Sequence, residues 1–197
     1  MRRWAVVGCV LLLTGLCALA KDKPRRSAVP LSVDEIAIYK AVLQQYSGES
    51  SSLNVSAETY PLDPNFEMNG LKRGECLEGI QLENLSAIAH TYHNLPVEVL
   101  GNRMSLVDPH NQAKIVRHND PQNALSKSRS IDSAVKRAFD TALFSLSEIA
   151  FDKDHHHAVV AYRFWCGSLC GNGSTLVFEK VGNAWKKTNR TCAGWVS

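Results

Sequence analysis

Apolar residues along this chain follow three successive patterns. Residues 5–19 are almost continuously apolar, preceded by Met1-Arg2-Arg3-Trp4 and closed by Ala18-Leu19-Ala20. A charged start, a short hydrophobic stretch and an A-x-A ending predict a secretory signal peptide over 1–20. The run is shorter than the ~20 apolar residues needed to span a bilayer, and polar residues follow at once. Residues 21–30 are polar, proline-bearing and without period, which predicts a tether. A helical period then begins: Ser32 and Glu35 form an S-x-x-E capping box, Leu31 and Ile36 sit at the positions of a hydrophobic staple, and Ile36, Tyr39, Leu43 and Tyr46 follow before Ser47-Gly48. Leu53, Val55 and Ala57 alternate with polar residues, predicting a strand over 52–59. Pro61, Pro64 and Asn69-Gly70 then mark a loop.

Leu82, Leu85, Ile88, Ala89 and Tyr92 predict a second helix ending before Pro96. A third fits 131–142 through Ile131, Val135, Ala138, Phe139 and Ala142. Between them, 97–125 holds short apolar pieces broken by Gly101, Pro109 and Pro121, compatible with short strands or an ordered loop. From Leu143 the period becomes two. Strands are expected over 143–151, 156–165, 174–181 and 185–192, with turns at 152–155 and at Gly182-Asn183. In the second of these, Ala158, Val160, Tyr162 and Phe164 face one way, and Val159, Ala161, Arg163 and Trp165 the other. The expected fold class is α+β: about three helices packed on a carboxy-terminal four-stranded antiparallel meander, in a single domain over 31–197.

Charge narrows the partners. The chain of 197 residues has 22 Lys and Arg against 19 Asp and Glu. Removing 1–20 takes Arg2 and Arg3 with it and leaves 177 residues at a net charge of +1. So nearly neutral a mature chain, with its basic residues scattered along the sequence, carries no footprint for nucleic acid. No second apolar stretch is long enough to cross a membrane. The expected location is secreted or periplasmic. Val6-Val7-Gly8-Cys9 loosely fits a lipoprotein box, which makes lipid anchoring in the envelope the alternative.

Export gives the cysteines their meaning. Cys76, Cys166, Cys170 and Cys192 remain in the mature chain, an even number that implies two disulfides with three possible pairings. A hairpin tip at Gly182-Asn183 brings Cys192 opposite Gly173 and close to the 166–170 loop. Either Cys166 pairs with Cys170 and Cys76 with Cys192, the preferred arrangement, or Cys192 bonds into the loop and Cys76 takes the remaining thiol. C-x-x-x-C between strands lacks the C-x-x-C spacing of a redox pair at a helix start, and export favours oxidation over zinc. Gly167, Gly171 and Gly173 with Asn172 are not followed by a helix, so no phosphate loop is expected; they are expected to supply positive φ angles for a tight turn.

Asp152-Lys153-Asp154-His155-His156-His157 has the residue types that bind Zn or Cu, so a metal-binding protein using His155, His156 and His157 is one functional alternative. The plainer expectation is an exposed turn shaped by aspartate, and no cofactor or metal is assigned. Another alternative is an extracytoplasmic, hydrolase-like enzyme drawing acid/base residues from 75–125, among them His90, His93 and Glu98. No G-x-S-x-G, H-E-x-x-H or comparable signature accompanies them. Trp165, Trp185 and Trp195 with Tyr162 line either a ligand groove or the core. Glycosylation sequons start at Asn54, Asn84, Asn172 and Asn189.

The stretch 145–187 resembles the carboxy-terminal segment of a family of uncharacterised bacterial exported proteins. The residues that carry the likeness are Leu146-Ser147-Glu148-Ile149-Ala150-Phe151-Asp152, Ala158-Val159-Val160-Ala161-Tyr162, Cys166-Gly167-Ser168-Leu169-Cys170-Gly171-Asn172-Gly173, Leu176-Val177-Phe178-Glu179-Lys180, then Gly182 and Trp185-Lys186. Glu35-Ile36-Ala37-Ile38-Tyr39 is similar to its amino-terminal helix. The resemblance implies export and a closed Cys166–Cys170 loop and carries no activity. The function expected first is therefore a non-enzymatic binding or envelope-accessory protein whose partner is a protein or a small ligand.

Overall fold

The computed structural model describes residues 23–46, 52–63, 76–125, 130–190, 192 and 194–197. The expected signal peptide, the helix stop at Ser47-Gly48 and the Asn69-Gly70 turn lie outside the described residues.

The described elements run, in chain order, β1 (Arg25–Arg26), α1 (Val33–Gln44), β2 (Leu53–Ser56), α2 (Leu85–Ile88), β3 (Thr91–Tyr92), a 3-10 turn (Val97–Val99), β4 (Met104–Val107), α3 (Pro109–His118), α4 (Pro121–Leu125) and α5 (Ile131–Asp140). The remainder is strand: β5 (Leu143–Leu146), β6 (Ala150–Phe151), β7 (His157–Gly167), β8 (Cys170–Val181), β9 (Ala184–Lys187) and β10 (Gly194–Val196). The fold is mixed α+β around a curled sheet in the order β10-β8-β7-β5-β2-β4, with β6 on β7 and β9 on β8.

The sheet is larger than a four-stranded meander. β2 and β4 join it in parallel, β2 lying between β4 and β5. The first long strand expected, over 143–151, is split into β5 and β6, which pair with opposite ends of β7. The segment read as a helix over 82–92 forms only the single turn α2, with the left-handed Asn84 before it, and then passes into β3. Within the span expected to be a tether, Arg25 and Arg26 pair in parallel with Thr91 and Tyr92.

α1 forms where its cap dictates. The Ser32 hydroxyl accepts from the Glu35 N–H at 3.2 Å, and the Ser32 N–H donates to the Glu35 carboxylate at 2.6 Å. Ile38, Tyr39, Val42 and Leu43 are buried on the sheet with Val55, Phe144, Leu146, Ala158, Val160 and Phe178. Each of the larger aliphatic and phenylalanine side chains contributes roughly 1.5–3 kcal/mol. Asp34 fixes the start of α1 to the far hairpin, accepting from Lys180 Nζ at 2.8 Å and Trp185 Nε1 at 3.0 Å. On the opposite sheet face a second cluster joins Leu62, Ile80, Ala150, Val159 and Val177 to Cys76 and Cys192. A third holds Ala138 and Ala142 against Cys166 at the end of the sheet.

Candidate functional site

The most deeply buried carboxylate among the described residues is Glu148. Ser147 breaks the strand between β5 and β6: its hydroxyl accepts from Ala161 N–H at 2.8 Å and donates to the Glu148 carbonyl at 2.7 Å. Tyr39 of α1 donates its hydroxyl to the Ser147 carbonyl at 2.9 Å. This break turns Glu148 inward, to 2 % exposure. One carboxylate oxygen accepts from the Thr59 hydroxyl, and the other meets His93 Nδ1 at 2.7 Å. Thr59 is held in turn by the His93 N–H, which donates to its hydroxyl at 2.7 Å. With Glu148 as acceptor, Nδ1 carries the proton and Nε2 is the basic nitrogen.

A carboxylate behind an imidazole is the orienting half of an acid/base site. The Thr59 hydroxyl beside the pair is spent on the second Glu148 oxygen rather than placed at His93 Nε2. Of the acid/base candidates between 75 and 125, the structure brings His93 to Glu148, which sequence reasoning missed. His90 and Glu98 are exposed and outside this cluster.

The histidine run forms a turn organised by Asp152. One Asp152 oxygen accepts from the His156 and His157 N–H groups at 2.7 and 2.9 Å, and the other meets His157 Nδ1 at 2.7 Å. Burial pushes the Asp152 carboxyl up, but the His157 N–H and imidazole and the His156 N–H outweigh it and hold the group below the usual range. His155 stacks on Phe151, ring centroids 4.8 Å apart, and His156 is exposed. Among the described residues no three His, Cys, Asp or Glu side chains are grouped to hold a metal. A groove of about 340 Å³ beside the turn is lined by Gly79, Ile80, Gln81 and residues 152–154.

The cysteine sulfurs stand at disulfide distance as Cys76–Cys192 and Cys166–Cys170, each pair with Cα atoms 5.1 Å apart. The first pair joins segments 116 residues apart; the second closes the β7–β8 turn. Asp120 anchors that turn by accepting from the Ser168 N–H at 2.9 Å and hydroxyl at 2.5 Å. Gly167 has φ +138°, and a Cβ there would lie 2.8 Å from Pro121 Cδ. Gly171 and Gly173 are not turn residues. They belong to β8, and their missing side chains make room for Trp195: a Cβ on Gly173 would stand 2.8 Å from both the indole Cε2 and the Tyr162 carbonyl.

That indole belongs to a surface assembled by strand register. Ser145, Arg163, Gly173 and Trp195 are successive cross-strand partners on β5, β7, β8 and β10, so they share one face. It is the face opposite α1. Trp165, two residues from Arg163, lies on it too, under the guanidinium of Arg117 from α3 at 5.7 Å. The Arg163 guanidinium lies 4.1 Å over the ring of Tyr60. Burial raises the Tyr60 hydroxyl to about 12, with Arg163 opposing it. Arg163 is exposed and Trp195 is 38 % exposed. The four aromatics read together in the sequence thus separate. Trp185 and Tyr162 serve the α1 side, Tyr162 stacking on Phe144 at 5.5 Å, while Trp165 and Trp195 mark the open face. Along β8 from Gly173, a second groove of about 300 Å³ is lined by Ser174, Thr175, Leu176, 187–190 and Cys192.

No protein-family model, no curated protein and no solved structure matches this chain.

Proposed function

We propose that this chain is an exported binding or envelope-accessory protein, not an enzyme, and that it binds through the sheet face bearing Tyr60, Arg163, Trp165 and Trp195. The observation that carries this is the in-register row Arg163–Gly173–Trp195, which packs an indole against glycine backbone beside an exposed guanidinium. Flat rings stack on flat ligand faces, and guanidinium donors select carboxylate or phosphate. The complementary ligand is a ring-bearing anion, and an acidic polysaccharide combines both features. Export is supported by the amino-terminal pattern, by the cysteines at disulfide distance and by the resemblance at 145–187. Among the described residues no helix is long and apolar enough to cross a membrane.

The test is calorimetric titration of the chain with polygalacturonate, and with neutral dextran as control. Saturable binding to the acidic polymer alone, weakened about tenfold or more by Arg163→Ala and by Trp195→Ala, is expected. No binding, or binding untouched by both substitutions, refutes the assignment. The enzyme alternative rests on the His93–Glu148 pair. Release of reducing sugar from the polymer, abolished by His93→Gln, would establish it instead.

A further inference from the structure

Eleven large apolar side chains are exposed among the described residues, and three of them lie at i, i+4 and i+8 on α5: Ile131 at 61 %, Val135 at 39 % and Phe139 at 47 %. α5 turns its alanines inward, Ala134 and Ala138, and leaves these larger residues in solvent. A helix placed by folding alone buries its larger apolar stripe. Phe139 meets Phe164 of β7, with ring centroids 5.7 Å apart. The nearby β7–β8 turn, pinned to the start of α4 through Ser168 and Asp120, adds Leu169 at 72 % exposure.

Charge identifies what covers this stripe. α3 meets the end of α5 through Gln112, whose Nε2 donates to the Thr141 carbonyl at 2.7 Å. The two helices carry Lys114, Arg117, Lys136 and Arg137, all exposed, against Asp132 and Asp140. Asp140 is already bound to Lys136 at 2.8 Å. Over 109–140 the sequence has six Lys and Arg and three Asp, an excess equal to the +3 of the entire chain.

We propose that α5, with the basic residues of α3 beside it, docks on an anionic lipid surface. The helix would lie in the plane of the headgroups, with Ile131, Val135 and Phe139 inserted and the lysines and arginines at phosphate level. A second copy of the chain would bring the same positive excess to the contact and be repelled. This docking meets the polysaccharide face at Arg117, which lies over Trp165, but involves neither Arg163 nor Trp195, so substitutions at those two separate the surfaces.

The experiment is cosedimentation of the chain, as recovered from secreting cells, with vesicles of phosphatidylcholine alone or mixed with phosphatidylglycerol. Binding is expected only with phosphatidylglycerol and is expected to fall with added salt. Combined Ile131→Ser, Val135→Ser and Phe139→Ser substitution should weaken it about tenfold or more, as should Lys114→Gln with Arg137→Gln. Far-UV circular dichroism checks that the fold survives. Ile131→Asn, at the most exposed of the three positions, repeats the test with one change. Arg163→Ala should bind vesicles normally. Absence of binding to phosphatidylglycerol vesicles, equal binding to both vesicle types, or binding unaffected by the stripe substitutions overturns the proposal. So does stripe-dependent dimerisation without vesicle binding.

Discussion

Replacing Glu148 should separate the worth of its hydrogen bonds from the worth of its charge. Glu148→Ala removes the acceptor for two donors, the Thr59 hydroxyl and His93 Nδ1–H, and leaving a buried donor unpaired costs about 1–3 kcal/mol. Relaxation lowers the total. The Thr59 hydroxyl can turn to the His93 carbonyl, 3.3 Å away, and the His93 side chain, 14 % exposed, can reach water. With the cavity left by the truncation, the net loss is expected at about 3 kcal/mol. Glu148→Gln keeps the volume. Its amide oxygen accepts from Thr59 while its NH₂ donates to an Nδ1 that has given its proton to Nε2, so every polar atom stays paired at a cost of about 1 kcal/mol or less. Urea unfolding followed by circular dichroism measures both. Coupling of Glu148→Ala with His93→Ala in a double-mutant cycle should reach about 1–3 kcal/mol. A loss below about 1 kcal/mol for the alanine variant would show that the cluster does not hold the Ser147 break in place. Equal losses for alanine and glutamine would show that charge, not pairing, is what matters.

Other parts of the molecule give further outcomes. The intact mass of the chain recovered after export should be four hydrogens short of the fully reduced value. Replacing Cys76 and Cys192 by serine should then cost about 4–5 kcal/mol, against about 2 kcal/mol for Cys166 and Cys170, because the loops closed differ so much in length; equal losses in urea unfolding would contradict this. Acid should weaken the fold through Asp34, Asp120 and Asp152, all held below the ordinary 3.8. Asp34 is lowered chiefly by Lys180. Asp120 and Asp152 are lowered by their hydrogen-bond donors, against an opposing push from burial. Depressed carboxylates stabilise fully above the unfolded value and lose that contribution as pH falls through the folded values. Stability should therefore be level from about pH 6 to 5 and decline below about pH 4. Asp152→Asn should flatten the decline, and an unchanged acid limb would refute the assignment of Asp152.

Local signals in the sequence were legible where they act locally. The Ser32–Glu35 box caps α1, and Gly182-Asn183 sets the hairpin in which Val181 faces Ala184. α3 was missed because Pro109 reads as a breaker. In the fold Asp108 is the N-cap, accepting from the Asn111 N–H at 2.7 Å, and proline is at home in the first turn behind it. The parallel pairing of β2 with β4 and β5 has no sequence signal, since period-two alternation names a strand's faces and not its neighbours.

The same limit explains which candidate residues were readable. Alternation along β7 assigns Arg163 and Trp165 to one face, but whether that face is covered depends on where the Cys76 segment and α3 come to rest. Both lie far away in the chain. Alternation fails outright at Ser147 and Glu148, because a hydroxyl that bonds the neighbouring strand inserts itself into the ladder and reverses the pleat. Glu148 thereby becomes the most buried acid described. Gly171 and Gly173 mislead in the opposite sense. Glycine suggests a turn, yet here it lies within a strand because Trp195, more than twenty residues later, needs the space a Cβ would fill. At each of these positions a contact with a distant part of the chain overrides the local preference, and these are the positions where the carboxylate–imidazole pair and the indole–guanidinium face are built.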